Sequence, residues 1–165
     1  MSDPMNRKRK KQNSGFTLLE VLIALLILSV GLLGLASLQT RGLAMGHNAY
    51  LRSQAVLLTR DMAERIRVNS NYVLATEASS TTVYTIDYNQ TPTNTDCSAA
   101  SCTPVQLAQY DIDQWLTSLG NILPAGDGQI SKNGVDYVIT VRWDSERNGV
   151  AADLKMYSLN LNLRS

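Results

Sequence analysis

Hydrophobic and polar residues divide the chain into stretches with different periods. Residues 1–15 are polar and strongly basic. Residues 16–38, FTLLEVLIALLILSVGLLGLASL, are almost unbroken apolar, with about fifteen Leu, Ile, Val or Phe. A helix of that length is roughly 35 Å long at ~1.5 Å per residue, enough to cross a bilayer core. Over residues 39–69 the pattern becomes amphipathic: Leu51, Ala55, Leu58, Met62 and Ile66 recur at spacings of three and four. This predicts that the helix continues and lays one apolar face on a sheet. Asn69, Ser70 and Asn71 read as its stop.

Residues 70–165 read as an α+β unit. From Tyr72 to Cys102 the chain is rich in Ser, Thr, Asn and Ala, and residues 82–88 have the composition of a strand. Thr103, Pro104 and Gln106 then match a helix start, with a Thr cap, Pro in the first turn and Gln three after the cap. Leu107, Ile112, Trp115, Leu116 and Leu119 form the expected buried side of that helix, and Gly120 its expected stop. Asp111 and Asp113 lie two apart, so they do not share a helix face and read as solvated. Asn133-Gly134 is a tight-turn signal. After it, Val135, Tyr137, Ile139, Val141 and Trp143 recur at every second position, as do Tyr157, Leu159, Leu161 and Leu163. The C-terminal third is therefore expected to be an antiparallel meander, with residues 144–149 as a polar connection, covering the amphipathic half of the long helix.

Charge adds an orientation. The formal net charge is +1, while Arg7, Lys8, Arg9, Lys10 and Lys11 against Asp3 put about +4 into the first fifteen residues, leaving about −3 for the rest by subtraction. A basic flank is retained on the cytoplasmic side of a membrane segment, so the N-terminus is expected inside and the bulk of the chain outside. Glu20 interrupts the apolar run. It opposes insertion by at most ~3 kcal/mol, and by less near the interface, whereas the aliphatic residues contribute roughly −0.3 to −0.6 kcal/mol each, so insertion wins. A secretory signal would have a shorter apolar core followed by a small-residue cleavage site. Here the small-residue break, Ser14-Gly15, precedes the apolar run.

Candidate chemistry is sparse. Cys97 and Cys102 lie close together in DCSAASCTP; no second Cys pair or nearby His completes a four-ligand metal site, and in an oxidising compartment the pair would close a small disulfide loop contributing roughly 2 kcal/mol. His47 stands apart from any nucleophile or ligand set. Arg65 and Arg67 suit the C-terminal end of the long helix, with Asp61 and Arg65 spaced i,i+4, and read as part of a solvated charged face. No nucleophile–base set, phosphate loop or metal cluster points to an enzyme, and no cofactor is implied. The acidic balance beyond residue 15, with no aromatic-basic patch, argues against nucleic-acid binding.

Gly15, Phe16, Thr17, Leu18, Leu19 and Glu20, after a basic leader and before a full-length apolar segment, resemble the cleavage and methylation motif of type IV pilins and type II secretion pseudopilins. The resemblance implies a pilin-like fold. It implies that residues 1–15 are a leader removed between Gly15 and Phe16 by the prepilin peptidase, followed by N-methylation of Phe16. It further implies that Glu20 of one subunit meets the Phe16 amine of its neighbour and so sets subunit register, since an intramembrane carboxylate needs a partner. Many major pilins carry a Pro inside the apolar run; this chain has none there. The strings GLLGLASLQ at residues 31–39, DMAERIRVN at 61–69, and the Cys102-Thr103-Pro104 segment leading into LAQYDIDQW at 107–115 resemble minor pilins of the PilV type.

The function so implied is a minor pilin of a type IV pilus, contributing to pilus assembly or initiation and thereby to adhesion or twitching motility. A minor pseudopilin of a type II secretion system is the alternative. Expected partners are the prepilin peptidase, other minor pilins and the major pilin. The expected location is the inner membrane, with a single span and a periplasmic head, and then the fibre at the cell surface.

Overall fold

A computed structural model describes residues 15–75, 83–93, 96–98, 101–133 and 136–164. It has the α+β, pilin-like architecture: a long N-terminal helix and a small three-stranded antiparallel sheet. By its contacts the chain divides into two units, Met1–Ala44 and Met45–Ser165. Helix α1 (Leu18–Val68) contributes to both. It is rich in Leu and Ala, good helix formers, and has no proline.

In the first unit every described residue is exposed. Large apolar side chains from Phe16 to Leu38, among them Leu18, Leu25 and Leu33, face outward all round. Apolar exposure on this scale is a surface built to be covered by lipid or by other chains. By length and composition the segment is long and apolar enough to cross a membrane.

In the second unit α1 buries Leu51, Ala55, Met62 and Ile66, as its spacing predicts, together with Thr59 and Ala63; Leu58 is half-buried against the same core. Thr59 sits in the apolar stripe at little cost because its hydroxyl donates to the Ala55 carbonyl (2.7 Å). The helix ends at Val68; a short helix, α2 (Ser70–Ala75), resumes after Asn69. The break is thus a single residue, and Asn71 lies inside α2.

Helix α3 (Pro104–Ile122) starts as predicted, with a capping box between Thr103 and Gln106 and Pro104 in the first turn. It does not stop at Gly120. The last turn closes at Leu123, which is extended and donates its N–H to the Leu119 carbonyl (2.9 Å). Pro124, which disfavours helix in the residue before it, is the stronger signal. Ala108, Ile112, Trp115 and Leu119 are buried, and Leu116 packs at the edge.

The sheet runs in the order β1 (Asp127–Asn133), β2 (Asp136–Trp143), β3 (Lys155–Asn162), antiparallel throughout. Asn133 pairs with Asp136, so two residues connect β1 and β2; Gly134 and Val135, part of the expected turn and strand, lie outside the described residues. Tyr137, Ile139, Val141 and Trp143 are buried, and Leu161 with half-buried Tyr157 and Leu159 continues the face across β3. The strand expected over residues 82–88 is reduced to one bridge, Ile86 to Ile130. Tyr84 and Asn89 both have φ near 60°, which extended backbone does not permit. Arg142 fastens the following turn, donating to Asn89 (2.8 Å) and Asp127 (2.7 Å) beneath the Tyr88 ring, 4.0 Å from its centroid. Thr82 lies outside the described residues.

Trp115 joins helix and sheet. Its indole N–H donates to the Leu58 carbonyl (3.0 Å), and a Cβ added at Gly128 would overlap its ring. Gly128→Ala is therefore expected to destabilise the head by about 1–3 kcal/mol, the usual cost of overpacking. A urea titration followed by tryptophan fluorescence checks this, and an unchanged midpoint would mean the ring moves aside freely.

Candidate functional site: the N-terminal turn and the end of the long helix

The residues singled out by the sequence form the first turn of α1. Gly15, Phe16 and Thr17 precede the helix, and Phe16 is 84% exposed. Thr17 caps the helix: its hydroxyl oxygen accepts from the Glu20 N–H (3.3 Å), and its carbonyl accepts from Glu20 and Val21 (3.1 and 3.3 Å). Glu20 is thus the third helical residue, where a carboxylate interacts favourably with unpaired N–H groups and the positive end of the helix dipole. Thr17-x-x-Glu20 is the sequence form of a capping box, and the structure shows its Thr17 half. Glu20 thereby serves its own helix before any neighbour is considered. A Cβ added at Gly15 meets nothing within 4 Å, nor at Gly31, Gly34, Gly42 or Gly46. No fold requirement therefore explains a glycine at 15.

Near the end of α1 the structure corrects two expectations. Asp111 is 6% exposed, not solvated. It accepts from Tyr84 O–H (2.6 Å) and from Arg65 Nη1 (3.2 Å), while Arg65 Nε donates to Asp61 (2.9 Å). Arg65 is accordingly a bridge between helices and not part of a free charged face. Asn69 donates to Tyr84 (3.3 Å) and to the Pro104 carbonyl (2.9 Å). Burial and the adjacent Asp111 push the Tyr84 phenol well above its ordinary value, keeping it a neutral donor. The set ties α1, the residue 83–93 segment and α3 together. Sequence reasoning missed it because Asp111 lies on the edge of the Ala108–Ile112–Trp115–Leu119 stripe, and only tertiary packing supplies its donors. Asp113 is partly exposed.

Cys97 and Cys102 are joined by a disulfide just before the Thr103 cap. Among the described residues no group of three His, Cys, Asp or Glu could hold a metal ion. His47 is exposed on α1.

An apolar N-terminal segment, exposed on every side and long enough to cross a membrane, and a small α+β head are the layout of a pilin-like subunit. Two family models match the chain. The prokaryotic N-terminal methylation motif covers residues 10–36, and the Tt1218-like family, described as type IV pilin Tt1218, covers residues 37–113. No curated protein and no solved structure matched. Together the two matches run from residue 10 to residue 113 and support a type IV pilin that carries the N-terminal methylation motif. Pilins are structural subunits. The motif implies processing by prepilin peptidase and assembly with other pilins, and the apolar helix behind the leader fits membrane anchoring.

Proposed function

We propose that this chain is a minor pilin of a type IV pilus, of the PilV type, contributing to pilus initiation or assembly and so to adhesion or twitching motility. The basic leader keeps the N-terminus in the cytoplasm, the head is periplasmic, and the peptidase cuts between Gly15 and Phe16, after which Phe16 is N-methylated. The carrying observation is the first turn of α1: an exposed Phe16 beside an exposed Glu20 at the head of a wholly uncovered apolar helix. Cleavage places a cation at the positive end of the helix dipole, which is unfavourable. Glu20 offsets it locally, and in the fibre core it penalises any register that leaves either charge without a partner.

Mass spectrometry of sheared surface filaments tests this. The expected result is the protein in the filaments, beginning at methylated Phe16, with Cys97 and Cys102 bonded. Processed protein absent from surface pili would favour the secretion pseudopilin reading. Glu20→Leu and Glu20→Gln separate the two roles of the carboxylate. Gln keeps the length and polarity of the side chain but not the charge. Both variants are expected to be processed and membrane-anchored yet depleted at least about tenfold from filaments, by quantitative immunoblot. Full incorporation of the Gln variant would reduce Glu20 to a local cap.

A further inference from the structure

Within the second unit lies a cleft of about 430 Å³ that neither the processing motif nor the core accounts for. Its walls are Asn48, Ala49 and Arg52 of α1, Trp143 at the end of β2, Ser145 just after it, and Lys155 and Met156 at the start of β3. Trp143 and Lys155 are directly opposed in the β2–β3 register, so their side chains leave the sheet on one face. Arg52 and Lys155 are exposed and, among the described residues, form no ion pair, whereas Arg65, Arg67 and Arg142 each do. Trp143 is 3% exposed and Ser145 9%, yet among the described residues the Trp143 indole N–H and the Ser145 hydroxyl have no hydrogen-bond partner. A buried donor left unmade is costly, and here two belong to the walls of one cleft.

We propose that this cleft receives a carboxylate side chain, a glutamate or aspartate, presented by a neighbouring pilin subunit. Two free cations at the mouth supply the attraction. The indole and Ala49 supply apolar cover for the methylene stem. The indole N–H and serine hydroxyl, closed to solvent in the isolated chain, are reached by side-chain adjustment of the wall. Copies of this chain carry suitable partners, since the part beyond residue 15 has about −3 net charge by subtraction of about +4 from +1. The fibre setting rests on the pilin reading above; the binding chemistry does not.

The chain has two tryptophans, and the Trp115 indole is already bonded to Leu58, so two indole resonances report independently. Uniformly ¹⁵N-labelled full-length protein in detergent is titrated with the blocked dipeptide N-acetyl-Leu-Glu-amide and with its Gln counterpart. The Trp143 indole resonance is expected to move with the Glu peptide alone and the Trp115 resonance to stay. Arg52→Gln and Lys155→Gln should each weaken the response about threefold, as for exposed ion pairs, and added salt should weaken it further. No movement, equal movement with the Gln peptide, or an unchanged response in the double variant overturns the proposal. Inorganic phosphate acting at lower concentration than the peptide overturns the side-chain source. In sheared filaments a photo-crosslinking residue at Met156 is expected to map to a peptide of a pilin subunit containing Glu or Asp. Filaments that contain the protein but give no such crosslink overturn the subunit assignment. If the protein is absent from filaments, the pilus reading fails while the titration still decides the cleft.

Discussion

Gly15→Arg leaves the protein folded and membrane-anchored but unprocessed, and abolishes its appearance in fibres. The expected loss is all-or-none because the effect falls on recognition and not on stability. Added side-chain atoms at position 15 meet no neighbour, and the residue precedes the first helical turn. Nothing in the fold is disturbed. Under the proposed cut, what changes is the backbone that the peptidase would grip, where a residue without Cβ permits close approach. An immunoblot is expected to show one band heavier than the wild type by the 15-residue leader, in the membrane fraction, with unaltered protease resistance of the head. A band of mature size would move the cut elsewhere. The uncleaved protein also lacks the Phe16 amine, so Glu20 keeps its favourable place at the helix N-terminus and loses its proposed partner. Gly15→Arg is therefore expected to be at least as depleted from filaments as Glu20→Gln.

Asp111→Ala is expected to be the most damaging single change in the head, at about 3 kcal/mol. Removing one member of a buried pair leaves the other without compensation, typically at 3–5 kcal/mol. The value belongs at the low end because Arg65 keeps Asp61 and is itself one-third exposed. Tyr84 loses its acceptor as well, and Tyr84 holds a left-handed backbone (φ 60°) that a bulky residue adopts only when anchored. Thermal unfolding of the full-length protein in detergent, followed by near-ultraviolet circular dichroism, is expected to show a melting point lower by roughly 10 °C. Tyr84→Phe should cost less, and the double variant less than the sum, since both changes break one network. The same network fixes a pH limit. A phenol raised above its ordinary value of 10.0 contributes stability that is complete below pH 10 and is lost as pH climbs past it. Alkaline unfolding should therefore begin above that value in the wild type, and this contribution should be missing in Tyr84→Phe.

Much of the molecule was legible along the chain because its signals are local. The apolar run fixes a membrane-competent helix by length alone. The Leu51–Ile66 stripe fixes which face of the continuing helix is buried. The Thr103–Gln106 box fixes where α3 begins, and period-two alternation fixes β2 and β3. Where local signals competed, weaker ones lost: Gly120 yielded to Pro124 as the stop, and in the β-branched run, over its described residues 83–88, the left-handed Tyr84 and the left-handed Asn89 just beyond leave Ile86 as the residue that pairs. The capping role of Thr17 was readable but overshadowed by the larger oddity of a carboxylate in an apolar run.

The sequence by itself determined the methylation motif, a helix long and apolar enough to cross a membrane, and the α+β plan, since each follows from the pattern within one segment. Tertiary structure alone decided what the charged and polar residues of the head do. Asp111 is buried because α3 brings it to Arg65 and Tyr84, 46 and 27 residues away in the chain. Arg52 and Lys155 share a cleft for the same reason. A charge is solvated or buried according to the donors that folding delivers to it from elsewhere, and one-dimensional periodicity carries no record of those partners.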